Sequence, residues 1–159
     1  GDCLREREEF FANQQIKMMI GKGAMETIDA RDLQRAQDNI QRDFIFTGIA
    51  EYFDASILLL SQIIRWHPCA YGKLNSRSSK KRLEGEDLST LRRINYLENV
   101  LYEDARNKLL VKMRCAGEKF DLALSELSKL TSEAVKNGRH AAHALSDNHQ
   151  AIKSFLRGS

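Results

Sequence analysis

The sequence predicts a mainly α chain with one short strand, at about residues 44–49, whose pairing partners lie outside the chain. Three observations carry that reading. Pro68 is the only proline in 159 residues, so residues 88–156 are free of the residue that most strongly breaks a helix. Apolar side chains recur at three- and four-residue steps through most of the chain. One segment alone, Phe44-Ile45-Phe46-Thr47-Gly48-Ile49, is short, aromatic and β-branched, apolar on both faces like a buried parallel strand. No second such segment exists to take up its backbone N–H and C=O groups.

In chain order, residues 2–20 read as a first helix. Leu4, Phe10, Phe11, Ile16, Met18, Met19 and Ile20 are mostly at three- and four-residue steps, and Asp2, Glu6, Glu8 and Glu9 lie toward the amino end where the macrodipole favours them. Gly21 and Gly23 end it. Asp29 is the N-cap of a second helix to about Arg42, with Leu33, Ala36 and Ile40 on one face and Asp32 in the first turn. After the strand, residues 52–66 form a helix that is apolar almost all round and therefore buried on most sides, and His67-Pro68 stops it. A loop from Cys69 to about Asp87 follows. From there helical periodicity runs on, with its break at Asn137-Gly138 and a last helix at about 139–156.

Composition narrows the function. Forty-two per cent hydrophobic and 30% charged residues describe one globular domain. The net charge of +3 is too small for a surface that tracks nucleic-acid phosphates. No apolar run approaches the roughly 18 residues of a membrane span, and no signal peptide is visible. Cys3, Cys69 and Cys115 allow at most one disulfide and show no metal-site spacing. The charge is unevenly placed. Lys73, Arg77, Lys80, Lys81 and Arg82 fall in residues 71–83 with no acidic residue among them, which leaves the rest of the chain at −2. Lysine and arginine donors, with the hydroxyls of Ser76, Ser78 and Ser79 and the backbone freed by Gly72, suit phosphate and sulfate oxygens. The plainer alternative is a lysine-rich loop that is simply solvated.

The run FIFTGIAEYFDASILLLSQIIRW, residues 44–66, resembles the strand, Gly-x-x-Glu turn and Leu-rich helix in the carboxy-terminal half of the Golgi-type carbohydrate sulfotransferases, particularly the heparan sulfate 2-O branch. Two flanking segments are similar to that family as well. Upstream stands DCLREREEFFANQQIKMMIGKG, and downstream LEGEDLSTLRRINYLENVLYEDARNKL, with Asn99, Leu101, Tyr102 and Ala105 in the closing pattern. The resemblance covers about residues 2–115. It implies that residues 1–120 are the carboxy-terminal part of a sulfotransferase domain and 121–159 a helical extension, with strand 44–49 joining a parallel, P-loop-like α/β sheet supplied by the remainder of that domain or by another chain. It implies a donor, 3′-phosphoadenosine-5′-phosphosulfate, and a carbohydrate acceptor. The donor's phosphate loop and the catalytic base would lie in the part of the domain that this chain does not contain. The basic loop would cover the nucleotide through Lys73, Arg77, Ser78, Ser79, Lys80 and Lys81. Localisation would be the Golgi lumen in a eukaryote and the cytoplasm in a bacterium.

Other residues carry weaker signals. Glu51 matches a family glutamate at the strand-to-helix turn and equally suits a helix's first turn. His67 is a candidate ligand or base, and His140, His143 and His149, the first two one helical turn apart, invite comparison with a metal site; no HExxH pattern and no acidic or Cys partner completes a set. A second reading, of a different class, is a non-catalytic helical module that binds acidic glycans or a protein through the same basic loop.

Overall fold

A computed structural model of the chain describes residues 8, 10–71, 86–136, 143–144 and 150–157. The elements are α1 (Gln14–Ile20), α2 (Ala30–Asp43), a 3-10 turn (Ala50–Tyr52), α3 (Phe53–Ile64), β1 (Cys69–Ala70), α4 (Glu86–Ile94), α5 (Tyr96–Lys136), β2 (His143–Ala144) and α6 (Gln150–Leu156). They divide between two compact units, one within residues 1–47 and 80–106 and the other within 48–79 and 107–159.

The first unit rests on an amphipathic pair. Asp29 caps α2 as expected, accepting from the N–H groups of Arg31 (2.8 Å) and Asp32 (3.0 Å). Asp32 returns a bond to the Asp29 N–H at 3.1 Å, so both orphan ends of the first turn are satisfied. Ile16, Ala36 and Leu101 form the buried centre, with Met19, Ile20, Leu33, Ile40 and Leu97 packed around it. Lys22 reaches Asp32 at 2.6 Å. That hydrogen bond, outweighing the opposing cost of burial, holds the Asp32 carboxyl below its ordinary value of 3.8. A lowered folded value means that the pair stabilises the unit above about pH 4, and that this stability is lost as the pH falls through the lowered folded value. Asp32→Asn should therefore flatten the acid limb of a stability-against-pH curve measured by urea unfolding; an unchanged limb would remove the pair from the account.

The predicted first helix is interrupted. Asn13 adopts a left-handed conformation (φ 52°, ψ 40°) immediately before α1, and Gly21 (φ 72°) closes α1 as the glycine rule requires. The cause is tertiary. The Asn13 side chain donates to the Ile94 carbonyl (3.0 Å) and accepts from the Glu98 N–H (3.0 Å), while its own N–H donates to the Asn95 side chain (2.8 Å). It thus joins the end of α4 to the beginning of α5 and satisfies the Glu98 N–H in the latter's first turn.

In the second unit, α3 buries Ala55, Ser56, Leu58, Leu59 and Ser61. The expectation of burial on most sides is too strong, since Ile63 and Ile64 are 44% and 49% exposed. The helix also stops before His67-Pro68: Arg65 takes a left-handed C-cap position (φ 54°) and the Trp66 N–H turns back to the Ser61 carbonyl (2.9 Å). α5 contains a break that periodicity did not reveal, because Gly117 (φ 69°, ψ −166°) is not helical. Beyond it, Phe120 and Phe155 are both buried and meet edge to face with centroids 5.4 Å apart. Glu126 accepts the Ile152 N–H at 3.0 Å and so caps α6. The Gln62 side chain donates to the Phe155 carbonyl (3.3 Å), tying α3 to α6.

Residues 44–49 form no strand, and Phe44 and Ile45 are exposed rather than buried. No backbone ladder is offered to them within the described residues, and the last residue of the segment is held otherwise: Ser56 Oγ accepts from the Ile49 N–H (3.1 Å) and donates to its carbonyl (3.4 Å). The predicted terminal helix at 139–156 is shorter, with α6 beginning at Gln150. His143 and Ala144 instead pair antiparallel with Ala70 and Cys69. Asn137-Gly138, the predicted break, lies outside the described residues.

Candidate functional site

Lys73, Arg77, Ser78, Ser79, Lys80 and Lys81, the residues expected to bind nucleotide, lie outside the described residues, as do Gly72, Ser76 and Arg82. The residues leading into that segment are described, and they are anchored. β1 pairs with β2 in a two-residue ladder, and Tyr71, one residue further on, packs its ring edge-on against Phe53 at 5.0 Å. The Tyr71 hydroxyl donates to Asp54 in the first turn of α3. Burial, and then the hydrogen bond to the neighbouring carboxylate, push this phenol above its ordinary value of 10.0, so the hydroxyl holds the proton that it donates. The basic segment therefore begins two residues beyond an aromatic anchor on the buried helix.

The other residues singled out from sequence are dispersed. Glu51 is exposed on the 3-10 turn. Cys115 is a free, exposed thiol. His143 contributes backbone to β2, and His140 and His149 lie outside the described residues. Among the described residues no group of three His, Cys, Asp or Glu could hold a metal ion.

Sequence reasoning missed the arrangement that the structure does bring together. A cleft of about 740 Å³ opens where α3 and α6 end, lined by Gln62, Arg65, Trp66, His67, Lys153 and Arg157. Arg65 follows the last residue of α3 and Arg157 the last residue of α6, and the Gln62 bond to Phe155 holds the two ends together. Trp66 is 44% exposed there. The clue in the sequence was the pairing of Arg-Trp-His at one helix end with Lys153 and Arg157 four residues apart at another. About ninety residues separate the two, and neither segment alone departs from an ordinary basic helix terminus.

Residues 5–154 match a family model of carbohydrate sulfotransferases. The family is that of Galactose-3-O-sulfotransferase, and the chain belongs to it. None of the curated proteins and none of the solved structures compared with the chain matches it. The class implied by the resemblance therefore holds, whereas the matched family is not the heparan sulfate 2-O branch. The match also runs well past the 2–115 that the resemblance covered. No helix among the described residues is long and apolar enough to cross a membrane.

Proposed function

We propose that the chain is the carboxy-terminal part of a carbohydrate sulfotransferase that moves a sulfuryl group from 3′-phosphoadenosine-5′-phosphosulfate to the 3-hydroxyl of galactose. The observation that supports the sulfuryl transfer and the galactose acceptor is the family match over residues 5–154, whose name supplies the acceptor position; the carboxy-terminal placement rests on the resemblance of residues 2–115 alone. Transfer is in-line. The bond from sulfur to the bridging phosphate oxygen breaks as a bond to the acceptor oxygen forms, and the hydroxyl proton passes to a base in the remainder of the domain. Charge develops on the bridging phosphate oxygen and the sulfuryl oxygens, where fixed cations stabilise it more than in the ground state. Lys73 and Arg77 are the proposed cations, with Ser78, Ser79, Lys80 and Lys81 as further donors.

The anchoring of Tyr71 supports that role, because a loop that closes over a nucleotide needs a fixed end. Residues 44–49 fit the edge of a sheet contributed by other parts of the protein. The exposure of Phe44 and Ile45 is the state expected of such an edge without its neighbours.

The test is calorimetry of the intact protein with adenosine 3′,5′-bisphosphate, paired with sulfuryl transfer to galactose-terminated and heparan-type acceptors. Micromolar nucleotide binding and transfer to galactose are expected. Binding no tighter than millimolar would overturn the enzyme reading and leave a glycan- or protein-binding module. Lys73→Ala or Arg77→Ala should each weaken nucleotide affinity by about 1–3 kcal/mol, or roughly 5- to 150-fold. An unchanged affinity in both would remove the loop from the donor site.

A further inference from the structure

The cleft at the ends of α3 and α6 is not accounted for by donor binding at residues 73–81. Its lining carries the full positive charges of Arg65 and Arg157, with Lys153 and the His67 imidazole beside them, and no acidic side chain among the described residues. A simpler role for these cations is to offset the two helix C-termini they follow. The magnitudes argue against that as the whole explanation. Each C-terminus is equivalent to about −0.5 charge, so the pair offsets about one of the two arginine charges and leaves a surplus of about +1 before Lys153 is counted at all. The surplus is not spread over a convex surface, where solvent would screen it, but lines a concavity of about 740 Å³, within the range that encloses a small ligand.

Two details give the cleft a shape as well as a charge. Arg65 holds a left-handed backbone (φ 54°), which arginine adopts at a cost and which sets the direction of the chain into Trp66. Trp66 presents an indole that is 44% exposed beside the cations. A flat apolar face next to guanidinium forks suits a ring carrying an anionic group. The face takes the ring's C–H surface or π-system, and the forks take two oxygens of a sulfate or carboxylate.

We propose that this cleft binds an anionic saccharide, with a sugar ring against Trp66 and its sulfate held by Arg65 and Arg157. The choice of a saccharide over other anionic rings rests on the sulfotransferase reading above. The consequence is selectivity: acceptor chains that already carry sulfate near the galactose are retained in preference to neutral ones.

The probes are lactose sulfated at the galactose 6-hydroxyl, which leaves the 3-hydroxyl free, unsulfated lactose, inorganic sulfate and adenosine 3′,5′-bisphosphate, each titrated calorimetrically into the intact protein. Sulfated lactose should bind at least about tenfold more tightly than either lactose or sulfate, and more weakly as salt rises. The pair Arg65→Asn and Arg157→Glu, in which asparagine tolerates the left-handed position, should lose most of that binding, and Trp66→Ala should weaken it several-fold. Nucleotide affinity should be unchanged in all three variants. The proposal is overturned if sulfated lactose binds no better than lactose or sulfate, if its binding survives the arginine substitutions, or if the nucleotide displaces it. Failure of the nucleotide to bind while sulfated lactose binds through Arg65 and Arg157 would overturn the enzyme reading and leave the cleft standing.

Discussion

Replacing Phe120 by alanine should destabilise the second unit by about 3–5 kcal/mol, the largest single effect expected in the chain. The side chain is fully buried and its ring meets Phe155 edge to face at 5.4 Å, so removal opens a cavity at the junction of α5 and α6 and takes away an aromatic pair. Phe120→Leu should recover more than half of the loss, because most of the volume returns. A double-mutant cycle with Phe155→Ala should show coupling of about 0.5–1.5 kcal/mol. Urea unfolding gives all four values, and additive single losses would mean that the rings pack independently. The loss should also reach the cleft, since Phe155 supplies the carbonyl that Gln62 binds.

The second large effect is at Asn13. Its alanine variant should lose about 3 kcal/mol from the first unit. Two side-chain hydrogen bonds disappear, leaving the Glu98 N–H and the Ile94 carbonyl short of partners in a half-buried site, and alanine adopts the left-handed position only at a cost of about 1 kcal/mol. The expected fall in melting temperature is roughly 6–12 °C. Asn13→Gly separates the two contributions: it relieves the backbone strain and still lacks the hydrogen bonds, so it should recover only about 1 kcal/mol. A glycine variant as stable as the parent would show that the hydrogen bonds contribute nothing net.

These residues also mark where the fold can be read from sequence and where it cannot. Asp29 and Gly21 act through groups within four residues of themselves, and both the capping box of α2 and the end of α1 follow from local chemistry. Asn13 was legible only as a residue that tolerates a left-handed backbone. What fixes it there is a set of partners some 80 residues away, and apolar spacing in residues 2–20 gave no sign of them. The segment at 44–49 depends on partners in another way. Its composition favours strand, but a strand exists only with a partner, and Ser56 holds the Ile49 backbone in the absence of one. The pairing of β1 with β2 is two residues long, too short to leave any periodicity. The basic segment was visible because its five charges fall within thirteen residues, whereas the cleft was not, because its cations come from two helix ends distant in sequence.

Gly117 constrains the chain through chirality. A methyl group added on its L-face would meet nothing within 4 Å, so there is room for one. The backbone angles there (φ 69°, ψ −166°) are close to the mirror image of the extended geometry that L-residues prefer, and only an achiral residue occupies them cheaply. The position thus accepts a side chain by volume and refuses it by hand. Mutation there would be resisted by backbone geometry even though the surface offers no obstacle.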